Sequence, residues 1–133
     1  MSFLLDTNIC SAHLRRPAGL THRFTQHSGR LYVSSIVAAE LYTWAYLQDD
    51  PTRILTAVET LLDNEVELLA YDQMCAEAFG KLRGELVPKG INISPMDLLI
   101  ASVARAHNLT LVTHNVADFA AIPALRIVDW LAS

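Results

Sequence analysis

The sequence is poor in cysteine, glycine and proline. Its 133 residues include two cysteines, five glycines and five prolines, which excludes a disulfide scaffold, a cysteine-based zinc site and a fibrous or linker-rich chain. Basic residues are also scarce, with 10 Lys and Arg against 14 Asp and Glu, so a globally basic nucleic-acid coat is excluded, although a local basic patch is not. No apolar run approaches the roughly 20 residues that cross a bilayer.

Apolar residues, in contrast, are abundant. They make up 52% of the chain and charged residues 18%, a balance typical of a folded core and not of intrinsic disorder. The length fits a single domain over residues 1–133. The charged Asp6 interrupts the apolar start of the chain, so no signal peptide is predicted, and the low cysteine content favours a reducing compartment. We therefore expect a cytoplasmic protein with no membrane association.

Short apolar runs alternate with longer segments of helical period. The predicted strands are 3–5, 31–33, 66–69, 109–112 and 125–128. The predicted helices are 8–15, 20–26, 36–47, 52–64, 72–86 and 95–107. This alternation predicts an α/β domain with a mainly parallel sheet, strands buried on both faces, and helices packed against them.

Asp6 directly follows the first predicted strand. Its carboxylate should therefore lie at the carboxyl end of that strand, where open α/β sheets bind their ligands. The alternative is that Asp6 only caps the helix that follows it.

Glu40 lies within a predicted helix that is mostly apolar. Its neighbours three and four residues away include Ile36 and Trp44, so Glu40 is predicted to share the apolar stripe that packs on the sheet. A buried carboxylate needs a cation or a hydrogen-bonding partner. A salt bridge to Arg or Lys, or a helix turned so that Glu40 reaches solvent, would also account for it.

Further polar candidates lie in the first turn of the last predicted helix and in the segment after the fourth predicted strand. Asp97 begins a nearly all-apolar helix and follows Ser94 by three residues, as in a capping box. Asn115 and Asp118 lie three residues apart after the fourth strand, where they are either site residues or ordinary loop residues. Beside them, His114 is either a substrate contact or a solvated loop residue.

Acidic residues thus recur around one edge of the predicted sheet. Carboxylates that converge in one crevice repel one another, so we expect at least one pKa above its ordinary value unless a cation is present. Ligands that are all oxygen atoms suit Mg²⁺ or Mn²⁺, ions that commonly act on phosphate esters.

Four segments occur in an order and at a spacing that match a known family. They are 4–8 (LLDTN), 34–41 (SSIVAAEL), 97–101 (DLLIA) and 111–115 (LVTHN), the last followed by Asp118 and Phe119. Together they resemble the PIN-domain family and, more narrowly, the VapC-type toxins of bacterial type II toxin–antitoxin systems. The resemblance covers essentially the whole chain and implies a three-layer α/β/α PIN-like fold with a central, mainly parallel sheet.

The resemblance also implies a function. It implies a Mg²⁺- or Mn²⁺-dependent endoribonuclease that cuts RNA, is restrained by a small VapB-type antitoxin, and forms a homodimer. The catalytic, metal-holding acids that it carries over are Asp6, Glu40, Asp97 and a fourth residue, Asn115 or Asp118, of which Asp118 is preferred. The supporting residues are Thr7, Asn8 and Asn115. Trp44 departs from the family, which often has a small residue after the glutamate, near a surface commonly used for dimerisation.

Two alternative functions compete with this interpretation. A haloacid-dehalogenase-type phosphatase needs a second aspartate two residues after the first, and Asn8 occupies that position. A non-catalytic PIN-like module that binds RNA or protein is the alternative that stays open. Because the chain is acidic overall, RNA would have to be bound by local cations, for which the candidates are Arg15, Arg16, Lys81, Arg83 and Lys89.

Overall fold

The secondary structure follows the predicted alternation. The computed structural model describes residues 1–15 and 17–132. Its strands are β1 Phe3–Leu5, β2 Leu31–Ser34, β3 Glu67–Leu69, β4 Thr110–Val112 and β5 Ile127–Val128. Its α-helices are α1 Thr7–Arg15, α2 Pro17–Gln26, α3 Ser35–Tyr46, α4 Pro51–Thr60, α5 Gln73–Leu86, α6 Pro95–Ala106 and α7 Val116–Phe119.

The strands form one sheet in the order β3-β2-β1-β4-β5, and every pair of neighbouring strands is parallel. The chain builds the sheet outward from β1 to one side through β2 and β3. It then crosses back and adds β4 and β5 on the other side. The predicted three-layer α/β/α fold is confirmed, with a sheet that is entirely parallel.

The expectation that all strands are buried on both faces is wrong for β3. The central strands β1 and β4 are buried at every residue, as covered parallel strands should be. In β3, however, Glu67 is exposed and Leu68 is 49% exposed. The reason is that β3 is an edge strand, and charged residues at such edges discourage pairing with other chains.

Two helical regions differ from the prediction. The helix predicted over 52–64 ends as α4 at Thr60, because the chain continues as a π-helical turn over Leu61–Glu65. The four-residue helix α7 was not predicted, since one turn is too short to show a helical period. A 3₁₀ turn over Val87–Lys89 follows α5. None of the described helices is long and apolar enough to span a bilayer.

The orientation of α3 also differs from the prediction. Its buried residues are Val37, Ala38, Leu41 and Ala45, whereas Glu40 is only partly buried. The predicted stripe through Glu40 is therefore not the face that packs on the sheet, and Glu40 is neither fully buried nor fully exposed. Sequence periodicity could not fix this orientation because α3 is apolar around most of its circumference.

Helix α3 starts at a buried cap. Ser34 is 0% exposed, and its Oγ accepts a hydrogen bond from the backbone N–H of Val37 at 3.1 Å. We expect Ser34→Ala to lower the free energy of unfolding by about 1–2 kcal/mol, because the amide would lose its partner in the absence of water. Urea denaturation measures the loss. The matched control is Asp50→Ala, which removes the exposed cap of α4 at Thr52 N and should cost less; equal losses would contradict the argument.

Candidate active site

The candidate site lies between the carboxyl ends of β1 and β4. At this point the order in which the chain adds strands to the sheet reverses. Such a switch point leaves a crevice in which α/β proteins bind ligands. Asp6 follows β1 and Thr113 follows β4, and the Thr113 hydroxyl donates a hydrogen bond to Asp6 Oδ2 at 2.8 Å. Asp6 is 5% exposed and Thr113 is 0% exposed. A carboxylate is thus held in a buried position by a hydroxyl from the neighbouring strand.

Asp6 caps helix α1 and also contacts the neighbouring strand segment. Its backbone C=O accepts the first helical hydrogen bonds of α1, from Ile9 and Cys10, at 3.2 Å each. Its carboxylate Oδ1 accepts from the backbone N–H of Thr7 at 2.8 Å. Because Oδ2 is bonded to another strand, capping alone does not account for Asp6. Each carboxylate oxygen accepts about two hydrogen bonds or ligands, and one acceptor position of Oδ1 is not filled by any described residue.

The pKa of Asp6 is raised above its ordinary value of 3.8, chiefly because burial disfavours the charged form. The hydrogen bonds from Thr113 and Thr7 lower this pKa, whereas the negative charges of Glu40 and Asp97 raise it further. The charges of Glu40 and Asp97 therefore both act on Asp6, although burial contributes most to the raised pKa.

Glu40 is linked to Asp6 through a single residue. The Thr7 hydroxyl donates a hydrogen bond to Glu40 Oε1 at 2.5 Å, while the Thr7 backbone N–H donates to Asp6. Helices α1 and α3 are thereby joined at the site. No Arg or Lys in the described part of the chain forms a salt bridge with a carboxylate, so the predicted alternative of an Arg or Lys partner for Glu40 is not found there.

Asp97 lies in the first turn of α6, as predicted. Its backbone N–H donates to Ser94 Oγ at 3.2 Å, so Ser94 caps the helix and the Asp97 side chain is not needed for that contact. The helix buries most of the residues that follow, from Leu98 onward. Asp97 is therefore a partly buried acid at the end of a buried helix, and its charge acts on Asp6.

The two candidates for the fourth position differ in their connection to Asp6. The backbone N–H of Asn115 donates to the Thr113 hydroxyl at 3.1 Å, which places Asn115 one hydrogen bond from the residue that holds Asp6. Asp118 is exposed, and its backbone N–H donates to Asn115 O at 3.1 Å. The charge of Asp118 is not among the causes of the Asp6 pKa shift. The choice between the two stays a prediction.

Asn8 contacts both Asp6 and the segment that follows β4. Asn8 Nδ2 is 3.4 Å from Asp6 Oδ2, and Asn8 Oδ1 accepts from the backbone N–H of His114 at 3.1 Å. The supporting role of Asn8 stays a prediction. Thr113 and Asp129 were missed, although each directly follows a predicted strand. A polar residue at the end of an apolar run was the available signal, as it was for Asp6.

The charge and the donor atoms of these acids suit a divalent cation. They are oxygen donors of one charge sign, without a basic partner among the described residues, and Asp6 keeps an acceptor position that no described residue fills. In the described part of the chain, no three acidic, histidine or cysteine side chains are arranged to hold an ion directly. Mg²⁺ usually keeps several of its waters and binds through one or two carboxylates. The residues therefore fit a hydrated ion of this kind.

The predicted RNA-contacting cations are dispersed. The Arg15 guanidinium lies 6.0 Å from the centre of the Trp44 ring. Trp44 and Glu40 both line an open apolar groove of about 590 Å³. Lys81, Arg83 and Lys89 are exposed on and after α5. Arg16 lies outside the described residues.

Comparison with known proteins gives consistent matches. The sequence model of the PIN domain matches residues 3–125. The tRNA(fMet)-specific endonuclease VapC of Shigella flexneri is 34% identical over 131 residues, which are 98% of each chain. Ribonuclease VapC2 of Haemophilus influenzae is 36% identical, over 98% of this chain and 99% of that protein. The crystal structure of DNA-bound VapBC from Salmonella typhimurium has a TM-score of 0.91 at 37% identity and covers 98% of both chains.

Proposed function

The chain belongs to the PIN-domain family and, within it, to the VapC ribonucleases, and from this premise we propose that it is the RNA-cleaving toxin of a toxin–antitoxin pair. The observation that carries the proposal is the buried Asp6, which shares one electrostatic neighbourhood with Glu40 and Asp97 at the switch point of the sheet. A binding-only module would have no need to keep mutually repelling carboxylates there. The reaction is hydrolysis of a phosphodiester bond.

We propose that Asp6, Glu40, Asp97 and Asp118 hold one or two Mg²⁺ or Mn²⁺ ions, with Asn115 as the alternative to Asp118. A bound divalent cation supplies activated water and neutralises charge on the phosphate. The acids of this chain position the ion and keep the crevice anionic in its absence. No side chain is required as a nucleophile.

The hydrogen-bond network has a separate task, which is to orient the acids. Thr113 and the Thr7 backbone fix the two oxygens of Asp6, and the Thr7 hydroxyl fixes one oxygen of Glu40. Residues that hold metal-binding carboxylates in this way commonly change activity by about 10–100-fold when they are mutated.

The test is RNA cleavage by the purified protein with added Mg²⁺ or Mn²⁺. We expect cleavage with either ion and none in EDTA, and we expect growth arrest when the protein is expressed without a partner. Cleavage that persists in EDTA would show a metal-free ribonuclease. Binding of RNA without cleavage under every metal condition would favour the binding module instead.

Partners are proposed from the relatives and from the groove beside Glu40. A similar solved structure is a VapBC complex, and we propose a VapB-type antitoxin as the partner here. For self-association we propose the groove over Trp44, Leu47 and Met96, of which Leu47 is 78% exposed. Light scattering should then give twice the 14.7 kDa mass of one chain; a monomer at all concentrations would contradict the homodimer.

The link between Thr7 and Glu40 gives a prediction for activity. We expect Thr7→Val to reduce kcat by about 10–100-fold, because Glu40 loses the hydroxyl that orients it. Thr7→Ser keeps the hydroxyl and should restore most of the rate. The control is Thr56→Val, which removes an exposed hydroxyl on α4 that bonds to Thr52 O and should change little. Equal rates for Thr7→Val and the parent would show that the Glu40 orientation is unimportant.

A further inference from the structure

The charges of the chain are distributed unevenly along its sequence. Residues 7–39, between Asp6 and Glu40, contain four arginines and three histidines but no Asp or Glu. The other residues contain six Lys and Arg together with all 14 Asp and Glu. The acid-free segment forms α1, α2 and β2 and begins α3. An acidic protein therefore has one positively charged part, and such asymmetry is typical of a chain that binds a polyanion.

Arg15 is the arginine of this segment that lies beside the candidate active site. Its guanidinium is 6.0 Å from the centre of the Trp44 ring, and Trp44 lines the same groove as Glu40. The Arg15 side chain is exposed, and its Nε donates to Ser11 O at 3.3 Å. Its two terminal nitrogens have no hydrogen-bond partner among the described residues. Arg15 thus presents free donors close to the acids.

Arg23 continues the positive surface on α2. Arg15 and Leu131 line one cavity of about 450 Å³. The residue before Leu131 is Trp130, and the Arg23 guanidinium lies 6.0 Å from the centre of the Trp130 ring. Trp130 is 7% exposed, so this ring is a fixed support, while Arg23 itself is partly exposed. The cavity and Trp130 therefore connect the surroundings of Arg15 to those of Arg23.

Arg30 extends the surface to the start of β2. The His27 ring stacks on Trp130 with ring centres 5.3 Å apart, and Arg30 Nη2 lies 3.4 Å from His27 Nδ1. Arg30 Nη2 also donates to Gln26 O at 3.1 Å, so the exposed guanidinium is held in place. The pKa of His27 is lowered by burial and then by the positive charges of Arg30 and Arg23. The two guanidiniums therefore act on the same point.

The three guanidiniums form one surface, and their chemistry suits phosphate groups. None of them forms an ion pair with a carboxylate among the described residues. A guanidinium stays charged and presents its donors in a planar fork that matches phosphate oxygens. Because the surface begins beside Glu40, it is continuous with the place where the scissile phosphate would bind, which favours a nucleic-acid strand over an acidic protein segment.

We propose that Arg15, Arg23 and Arg30 bind the phosphates of an RNA strand where it extends out of the active site. This arginine surface would hold the substrate by its backbone, independently of base sequence. It would also explain how a chain with a net negative charge retains RNA. The inference rests on the proposed ribonuclease function and names the surface that binds RNA outside the crevice.

The test is the salt dependence of RNA binding, measured by fluorescence anisotropy in the Asp6→Asn background, in which cleavage does not interfere. Each phosphate contact with a single strand contributes about 0.7 to the slope of log K against log salt concentration. The double variant Arg23→Gln, Arg30→Gln should therefore reduce the slope by about 1.4 and weaken binding by roughly 10–30-fold near ~0.1 M salt. Arg30→Gln alone, at an exposed side chain, should give about half of the change in slope.

Three comparisons separate this role from a structural one. The double variant Arg23→Lys, Arg30→Lys keeps both charges and should keep most of the slope. Arg53→Gln removes an exposed arginine of α4, outside the acid-free segment, and should leave the slope unchanged. In the background that retains Asp6, cleavage of a trinucleotide, which is too short to reach Arg30, should fall far less in the Gln double variant than cleavage of a long RNA.

The possible failures are distinguishable. An unchanged slope in the Gln variants, with RNA still cut by the parent, would overturn the inference and leave the ribonuclease intact. If the Gln variants lose affinity for a polyglutamate peptide but not for RNA, the surface binds an acidic protein segment and the inference is again wrong. Failure of the parent to cut any RNA under any metal condition would instead refute the proposed function, whatever the slopes.

Discussion

Asp6→Asn should lower the rate of RNA cleavage by about 10³-fold, a loss that corresponds to several kcal/mol of transition-state stabilisation. Asp6 is the most deeply buried of the site acids at 5% exposed, and hydrogen bonds from two elements fix its carboxylate. An amide is a weaker cation ligand and carries no charge. The variant should also lose the rise in melting temperature that Mg²⁺ or Mn²⁺ gives the parent, which follows about RT ln(1 + [L]/Kd).

A matched variant distinguishes site chemistry from general loss of charge. Asp63→Asn makes the same substitution at an exposed position in the π-helical turn and should keep both the activity and the metal response of the parent. Circular dichroism checks that Asp6→Asn is folded. If Asp6→Asn cleaves RNA as fast as Asp63→Asn, then Asp6 has only a structural role and the proposed function loses its main support.

The position of Asp6 was predictable because it depends on neighbouring residues in the sequence. An apolar run that ends in an acid and leads into a helix locates that acid at the carboxyl end of a strand. Local spacing also predicted the Ser94 cap of α6, from a serine three residues before an acid at the start of a helix. Both features are local, and the structure shows both where they were expected.

The orientation of α3 was not predictable in this way. The helix contains apolar residues on nearly every side, so both the face with Val37 and Leu41 and the face with Ile36 and Trp44 were compatible with burial. Packing against the sheet selects the first face. Glu40 consequently lies at the side of the helix, where α1 supplies the Thr7 hydroxyl.

Thr113 was missed because its role depends on a contact between distant segments. Threonine is a common residue in strands, so its position at the end of the apolar run of β4 does not by itself mark it as a site residue. Its importance comes from the pairing of β4 with β1, which brings it to Asp6 across 107 positions of sequence. Asp129 is similar, since its partner His114 belongs to the adjacent strand.

Thr113→Val should therefore destabilise the protein more than any other change to this network. The substitution keeps the shape of the side chain and removes the hydroxyl, which donates to Asp6 Oδ2 and accepts from the Asn115 backbone N–H. A buried carboxylate and a backbone amide would each lose a partner, so we expect the free energy of unfolding to fall by about 2–3 kcal/mol at neutral pH. Activity should fall by about 10–100-fold, and Thr113→Ser should recover most of both.

The loss in Thr113→Val should depend on pH, and its sign follows from the pKa of Asp6. Burial already raises that pKa and the Thr113 hydrogen bond lowers it, so removing the hydroxyl raises the pKa further. A group whose folded-state pKa is raised makes its full contribution to the free energy of unfolding below its unfolded pKa of about 3.9. That contribution is lost as pH rises through the folded-state pKa. Urea denaturation should thus show the widest gap between parent and variant near neutral pH and a narrower gap near pH ~4. Thr110→Val, at a buried β4 threonine that bonds to Arg126, should give a gap that does not change with pH. A gap in Thr113→Val that is equally constant would mean that Asp6 does not rely on this hydroxyl to remain ionised.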